Sequence, residues 1–137
     1  MTTTTSMTIG TTYDRYRWAQ DLLAHRDPNA AYRVLAELLD EATADASRAD
    51  DLGGAQLAAI RAELARAAYH SARLDITADL ARESLADDPT DVDALVLLVR
   101  ALQRLGRGAD ATMALNRLAA IVGPDHETVT ELQERMR

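Results

Sequence analysis

Small and apolar side chains recur along this chain at two fixed spacings. Such periodicity is typical of folds built from one repeated structural unit. The first spacing is 34 residues and the second is 46 residues. One insertion, at about residues 42–53, accounts for the difference between them. The first spacing pairs Leu64 with Leu98, Ala68 with Leu102, Ala72 with Gly106, Ala81 with Leu115, and Ser84 with Leu118. The second pairs Trp18 with Leu64, Leu22 with Ala68, Ala31 with Thr77, and Leu35 with Ala81.

Each repeat carries the start and stop signals of two helices joined by a tight turn. Asp27 and Pro28 begin a helix, since Asp caps free amides and Pro lacks an N–H that would need a partner there. Gly106 provides a left-handed residue after a helix, and Pro89 and Pro124 end the helices before them. The pattern predicts seven helices. The first three run over about 12–25, from Pro28 to 42, and over 55–72. The fourth starts at a cap at Asp75 and ends at Asp87, the fifth starts at a cap at Thr90 or Asp91 and ends at Leu105, the sixth ends at Gly123, and the seventh covers about 125–136.

A helix–turn–helix unit with a 34-residue period resembles the tetratricopeptide repeat (TPR). The resemblance extends from about Thr12 to Gly123, as three degenerate repeats followed by a C-terminal capping helix. The sequence departs from the family pattern at Val99, where a small residue is usual, and at Gly108, where an aromatic is usual. Thr77 replaces the small Ala of the second helix. The third repeat carries the resemblance most clearly, through Leu95, Leu98, Leu102, Gly106, Ala111, Leu115 and Leu118.

The resemblance implies an all-α fold of antiparallel helical hairpins, stacked as a short right-handed superhelix. We accordingly expect one helical domain over 12–137, preceded by a flexible, Thr-rich tail at 1–11. Residues 43–54 are either a loop or an extension of the second helix, since Ala and Arg tolerate helix well. The repeats are expected over 12–42, 55–89 and 90–123, and the capping helix over 124–137.

Charge and composition argue against several classes of protein. A net charge of −7 does not suit a general nucleic-acid binder, which needs a basic surface to displace counterions. Without cysteine there is no disulfide framework and no thiolate chemistry. The start MTTTTSMTIGTT does not resemble a signal peptide, and no window is apolar for long enough to span a membrane. We therefore expect a cytoplasmic protein, and the Lys-free, Ala-rich usage favours a bacterial source.

Residues that could support catalysis are scattered rather than clustered. The three histidines, His25, His70 and His126, are far apart, and none has a second ligand at metal-binding spacing on its own helix. Asp87 and Asp88 precede a proline, where capping is their simplest role. No nucleophile elbow or phosphate loop is present. The sequence thus predicts no enzyme activity, no cofactor and no metal.

Polar and aromatic side chains on the first helix of each repeat are the candidate site. In the TPR family these helices line a concave groove, and the resemblance implies the same here. Arg66 and Arg100 are 34 residues apart, as are His70 and Arg104, so the period predicts a basic strip with tyrosines at one end. The candidates are Tyr13, Tyr16 and Gln20 in the first repeat, Arg66, Tyr69, His70 and Arg73 in the second, and Val96, Arg100, Gln103 and Arg104 in the third.

These residue types predict a protein or peptide partner. Arg forms paired hydrogen bonds with carboxylates, and Tyr joins apolar area to a hydrogen-bonding tip. We therefore expect an adaptor whose ligand carries acidic groups or a free C-terminus, and no nucleic-acid or membrane partner. The family's Lys- and Asn-based carboxylate clamp does not recur, so chaperone tails are not expected. Two alternatives remain open: a solvated Arg face paired with Glu63 and Asp93, and a self-assembling helical subunit such as a homodimer.

Overall fold

A computed structural model describes residues 11–44 and 54–136 of the chain, and over these ranges the protein is all-α. The predicted tail up to residue 10 and the central segment 45–53 lie outside the described residues. The described part forms seven helices without a strand: α1 Thr11–Ala24, α2 Pro28–Ala44, α3 Gly54–His70, α4 Leu74–Asp87, α5 Val92–Arg104, α6 Gly108–Val122 and α7 Glu127–Glu134. The predicted all-α class and the seven helices are confirmed.

The chain divides into two compact units, Met1–Ser71 and Ala72–Arg137. In the first unit, α2 packs against both α1 and α3, and α1 also touches α3. In the second unit, α4 packs on α5, α5 on α6, and α6 on α7. Helices adjacent in sequence are therefore neighbours in space within each unit. The right-handed superhelix concerns how the units are arranged, and it stays a prediction.

The turns inside the three predicted repeats share a left-handed residue at the same position. Helices α1, α3 and α5 end at residues separated by 46 and then 34 positions, and α2, α4 and α6 begin with the same offsets. Each turn contains one left-handed residue, with φ of 61° at Arg26, 62° at Ala72 and 75° at Gly106. In the first and third turns, the amides of Asp27 and Arg107 donate to carbonyls five residues earlier, at 2.8 and 2.9 Å. This is the Schellman end of a helix, so the repeat is present in the backbone as well as in the side chains.

Helix starts follow the predicted signals at two turns and not at a third. Asp27 Oδ1 accepts from the Ala30 amide at 3.2 Å, and Asp91 Oδ1 accepts from the Ala94 amide at 3.1 Å, as expected of N-caps. The prediction that Asp75 caps the fourth helix is wrong. Helix α4 begins at Leu74, and Arg73 holds the cap position without a side-chain hydrogen bond. Asp75 lies in the first turn instead, where its charge favours the positive end of the helix dipole.

The core repeats with the same register. Ala19, Ala65 and Val99 occupy one position of the three first helices, and all are buried. Thr77 is fully buried, as are its counterparts in the other two repeats, Ala31 and Ala111. Its hydroxyl donates to the Arg73 carbonyl at 2.8 Å. A buried hydroxyl is costly only without a partner, so this internal hydrogen bond explains why Thr is accepted there. In the second unit one cluster joins all four helices and includes Ala81, Leu85, Leu95, Leu98, Leu102, Leu115, Leu118, Val129 and Leu132.

One predicted core position is exposed. The 46-residue spacing pairs Trp18 with Leu64, which is 4% exposed, yet Trp18 itself is 55% exposed. In α3 the residues of this face are buried, and α3 packs on α2, the helix before it. Within the described residues no helix precedes α1, so the same position has no neighbour to cover it. The sequence pattern cannot show this, because it gives the position of a residue within its repeat but not which helix covers that position.

Candidate functional site

Two first helices of the predicted repeats, α1 and α3, form an apolar pocket in the first unit. Tyr13 and Tyr16 project from α1, and Gln56, Ala59 and Ile60 complete the lining from α3. The pocket has a volume of about 200 Å³. Tyr13 is 62% exposed while Ile60 is buried, so the pocket has an aromatic rim and a closed aliphatic floor. Sequence reasoning identified the tyrosines but missed the three α3 residues. The signal available was the 46-residue spacing, which places Ala59 one repeat after Tyr13.

The environment of Tyr16 connects this pocket to the charged residues of α3. Burial raises the pKa of its phenol above the ordinary value of 10.0, the negative charge of Glu63 raises the pKa further, and the positive charge of Arg66 lowers it. The phenol is therefore neutral at physiological pH and can donate a hydrogen bond. The structure thus brings together Tyr13, Tyr16 and Arg66 from the predicted set, with Glu63 as an added acidic neighbour.

Tyr13 is held by a residue that the sequence reasoning did not identify. Arg17 Nη1 donates to the Tyr13 hydroxyl at 3.2 Å, and its guanidinium carbon lies 5.9 Å from the centre of the Tyr13 ring. The hydrogen bond is the main reason why the pKa of Arg17 is raised. The signal available in the sequence was the i, i+4 spacing of the two residues on one helix. The pair restrains the exposed ring beside the pocket.

A second pocket lies at the turn end of the first unit. It has a volume of about 420 Å³ and is lined by Leu23, Arg26, Pro28 and His70. The His70 ring meets the neighbouring Tyr69 ring edge-on, with 5.4 Å between the ring centres. The structure therefore places the predicted residues Tyr69 and His70 in contact. It adds Arg26, which the sequence reasoning missed because its left-handed backbone is a property of the folded turn.

The candidates of the second unit differ in their surroundings. Gln103 Nε2 donates to the Leu132 carbonyl at 2.9 Å and so ties α5 to the last helix. Arg100 is half-buried, and its Nε atom is buried without a hydrogen-bond partner in the described structure. Arg104 is exposed, and Val96 packs against the core cluster. The expected pairing of Arg66 with Arg100 relates the two units, and it stays a prediction.

Gln20 and Arg73 are the remaining candidates from the sequence. Gln20 is half-buried on α1, and Arg73 is half-buried at the start of α4. Over the described ranges, no group of three or more His, Asp or Glu side chains is arranged to hold a metal ion. In the same part of the chain, no helix has the length and apolar character needed to cross a bilayer.

Comparison with known proteins adds no family to this picture: no protein-family model matches the chain, and neither does any curated protein.

Proposed function

We propose that this chain is a non-catalytic, TPR-like adaptor of the cytoplasm that binds a protein partner through the α1–α3 face of its first unit. The observation that carries the proposal is the pocket between the two helices, with Tyr13 and Tyr16 at its rim and Ile60 at its floor. Pockets of this kind accept one apolar anchor side chain, and rigid aromatic rims are typical of binding hot spots. We expect this anchor side chain to determine which partner segments bind to the face.

The charged side chains beside the pocket favour an acidic group in the partner. Arg66 lies close enough to Tyr16 to lower its pKa, and Arg66 is exposed. A guanidinium in this position can pair with a carboxylate while the neutral Tyr16 phenol donates a second hydrogen bond. Glu63 on the same face disfavours a carboxylate placed too near it, which restricts the register of the bound segment. The expected ligand is an extended peptide with an apolar anchor followed by an acidic group or its own C-terminus.

A library of short peptides selected on the full chain, followed by affinity measurements with the best peptide, tests the proposal. Ala59→Arg fills the pocket and should weaken binding by at least about tenfold. Ala58→Arg is the matched control, because Ala58 is the exposed neighbour on the same helix and outside the pocket lining. Arg66→Glu should weaken binding of peptides with an acidic group and leave neutral peptides nearly unaffected.

Equal losses for Ala59→Arg and Ala58→Arg would place the site elsewhere and reject the proposal. Light scattering on the unmodified chain distinguishes the alternative of a self-assembling subunit. An adaptor keeps a constant mass across a concentration series, whereas a structural subunit grows in mass as the concentration rises.

A further inference from the structure

The exposed face of α1 around Trp18 occupies the register position that the other first helices bury. Trp18 is 55% exposed, whereas its counterparts Leu64 in α3 and Leu98 in α5 are each 4% exposed. A large indole left in water is the opposite of what burial of apolar area favours. Single exposed apolar residues are common on proteins. The residues on either side of Trp18 therefore decide whether this one has a role.

Two carboxylates flank Trp18 where the other helices have aliphatic residues. Asp14 lies four residues before Trp18 and Asp21 three residues after it, so all three share one helix face. Both carboxylates are exposed. The register aligns Asp14 with the buried Ile60 and Ala94, and Asp21 with the buried Ala67 and Ala101. This face of α1 therefore presents an indole between two carboxylates, whereas α3 and α5 have buried aliphatic side chains at the same positions.

The two arginines of α1, Arg17 and Arg15, both bind side chains outside this face. Arg17 donates to the Tyr13 hydroxyl and lies over its ring, although its pKa also responds weakly to Asp21. Arg15 binds two carboxylates of α2, Glu37 at 3.3 Å and Glu41 at 2.8 Å. The face is therefore acidic around an accessible aromatic ring, on a chain with a net charge of −7.

We propose that this face, Asp14–Trp18–Asp21, is a docking surface for a cationic segment of a partner protein. An Arg or Lys side chain stacks on the indole, for which Trp is the best aromatic partner, and the carboxylates pair with its charge. The proposal needs neither the Tyr16 pocket nor Arg66, so it stands independently of the α1–α3 peptide site. An adaptor with one face for acidic ligands and another for basic ligands can hold two partners at once.

A second copy of the chain is a poorer occupant of this face. A two-fold contact through α1 would bring the Asp14 and Asp21 carboxylates of both copies together, and like charges in contact are repulsive. Specific, stable interfaces bury about 1,200–2,000 Å² in total, far more than one indole from each copy can supply. Charge complementarity therefore favours a basic partner.

Trp18 is the only tryptophan of the chain, so its fluorescence reports on this face alone. The full chain is titrated with a capped peptide of alternating Arg and Ala, and with the Glu–Ala peptide of equal length. We expect a saturable change in emission with the Arg peptide only, weakened by added salt. The double variant Asp14→Asn, Asp21→Asn should bind about three- to thirtyfold more weakly. The charge-matched variant Asp125→Asn, Glu134→Gln, altered at exposed carboxylates outside α1, should bind as the unmodified chain does.

Three results would overturn the proposal. The first is an unchanged emission with the Arg peptide. The second is an equal loss of affinity in the two double variants, which would reduce the effect to net charge. The third is an emission shift that follows protein concentration without peptide, or that follows removal of residues 1–10. Either form of the third result would show that the chain itself covers the face.

Discussion

At the residue scale, Tyr16 is a side chain whose pKa depends on residues of a neighbouring helix. Its phenol lies on α1, while the two charges that shift its pKa in opposite directions belong to Glu63 and Arg66 on α3. A raised pKa in the folded state means that the neutral phenol stabilises the fold. That stabilisation is complete below the ordinary value of 10.0 and is lost as the pH rises through the folded-state pKa.

We predict that Tyr16 titrates above the ordinary value of 10.0 for tyrosine. The absorbance of tyrosinate, followed against pH for the unmodified chain and for Tyr16→Phe, isolates its titration as the difference between the two curves. Glu63→Gln should move this difference curve to lower pH, and Arg66→Gln should move it to higher pH. Circular dichroism over the same pH range checks that the helices remain folded. Shifts in the same direction for both variants would contradict the arrangement of these three residues.

At the scale of a single element, α7 is the shortest helix of the described residues. It spans only Glu127–Glu134, and it buries just Val129 and Leu132. The last four carbonyls of any helix lack partners within it. The Gln103 amide supplies one, because it donates to the Leu132 carbonyl from the neighbouring helix α5. The two buried side chains and this hydrogen bond thus help to hold the short helix against its neighbours.

We predict that Gln103→Ala lowers the free energy of unfolding by about 1 kcal/mol, the usual value of one hydrogen bond. Hydrogen exchange should show the loss concentrated in the amides of α7. Gln133→Ala is the control, since it removes the same side chain from an exposed position of that helix. If the two variants exchange alike, the hydrogen bond between α5 and α7 contributes nothing, and Gln103 returns to the list of partner-binding candidates.

At the scale of the whole molecule, the repeat register places Trp18, Leu64 and Leu98 at one position with unequal consequences. Leu64 and Leu98 lie in the cores of the first and second units, and Trp18 lies at the surface. Leu64→Ala and Leu98→Ala should each cost about 2–5 kcal/mol, because a cavity remains where the side chain was. Trp18→Ala should change stability by only about 0.5 kcal/mol, as expected of a surface position.

Thermal melts followed by circular dichroism compare the three variants directly. The first two substitutions should lower the midpoint of the melt strongly, and the third should leave it nearly unchanged. A large loss from Trp18→Ala would show that the indole packs against part of this chain. In that case it would not be available to a partner.

Most of the helical architecture could be predicted from the sequence. Asp27, Asp91 and Gly106 mark helix ends through local backbone chemistry, and the 34-residue period identified buried positions such as Leu98 and Leu115. These features depend on residues close in sequence or on a repeated pattern. The Asp75 cap failed for a local reason, since the turn places Arg73 at the cap position without requiring a side-chain partner.

The candidate site was predicted only in outline. Tyr13, Tyr16 and Arg66 were named from their helix faces, and the structure brings them to one side of the first unit. Gln56, Ala59 and Arg26 were missed, because a pocket is defined by what two helices place together.

The sequence by itself determined where most of the helices begin and end and which positions repeat as apolar. These properties follow from local hydrogen bonding and from a periodicity that is visible in the sequence. Only the tertiary structure decided that Trp18 is exposed, that Gln103 supports α7, and that Tyr16 has two opposing charges beside it. The physical reason is that burial, hydrogen-bond partners and pKa shifts depend on which neighbouring helix covers a face. The register position that is buried in α3, which packs on α2, lies at the surface in α1, which no helix precedes within the described residues.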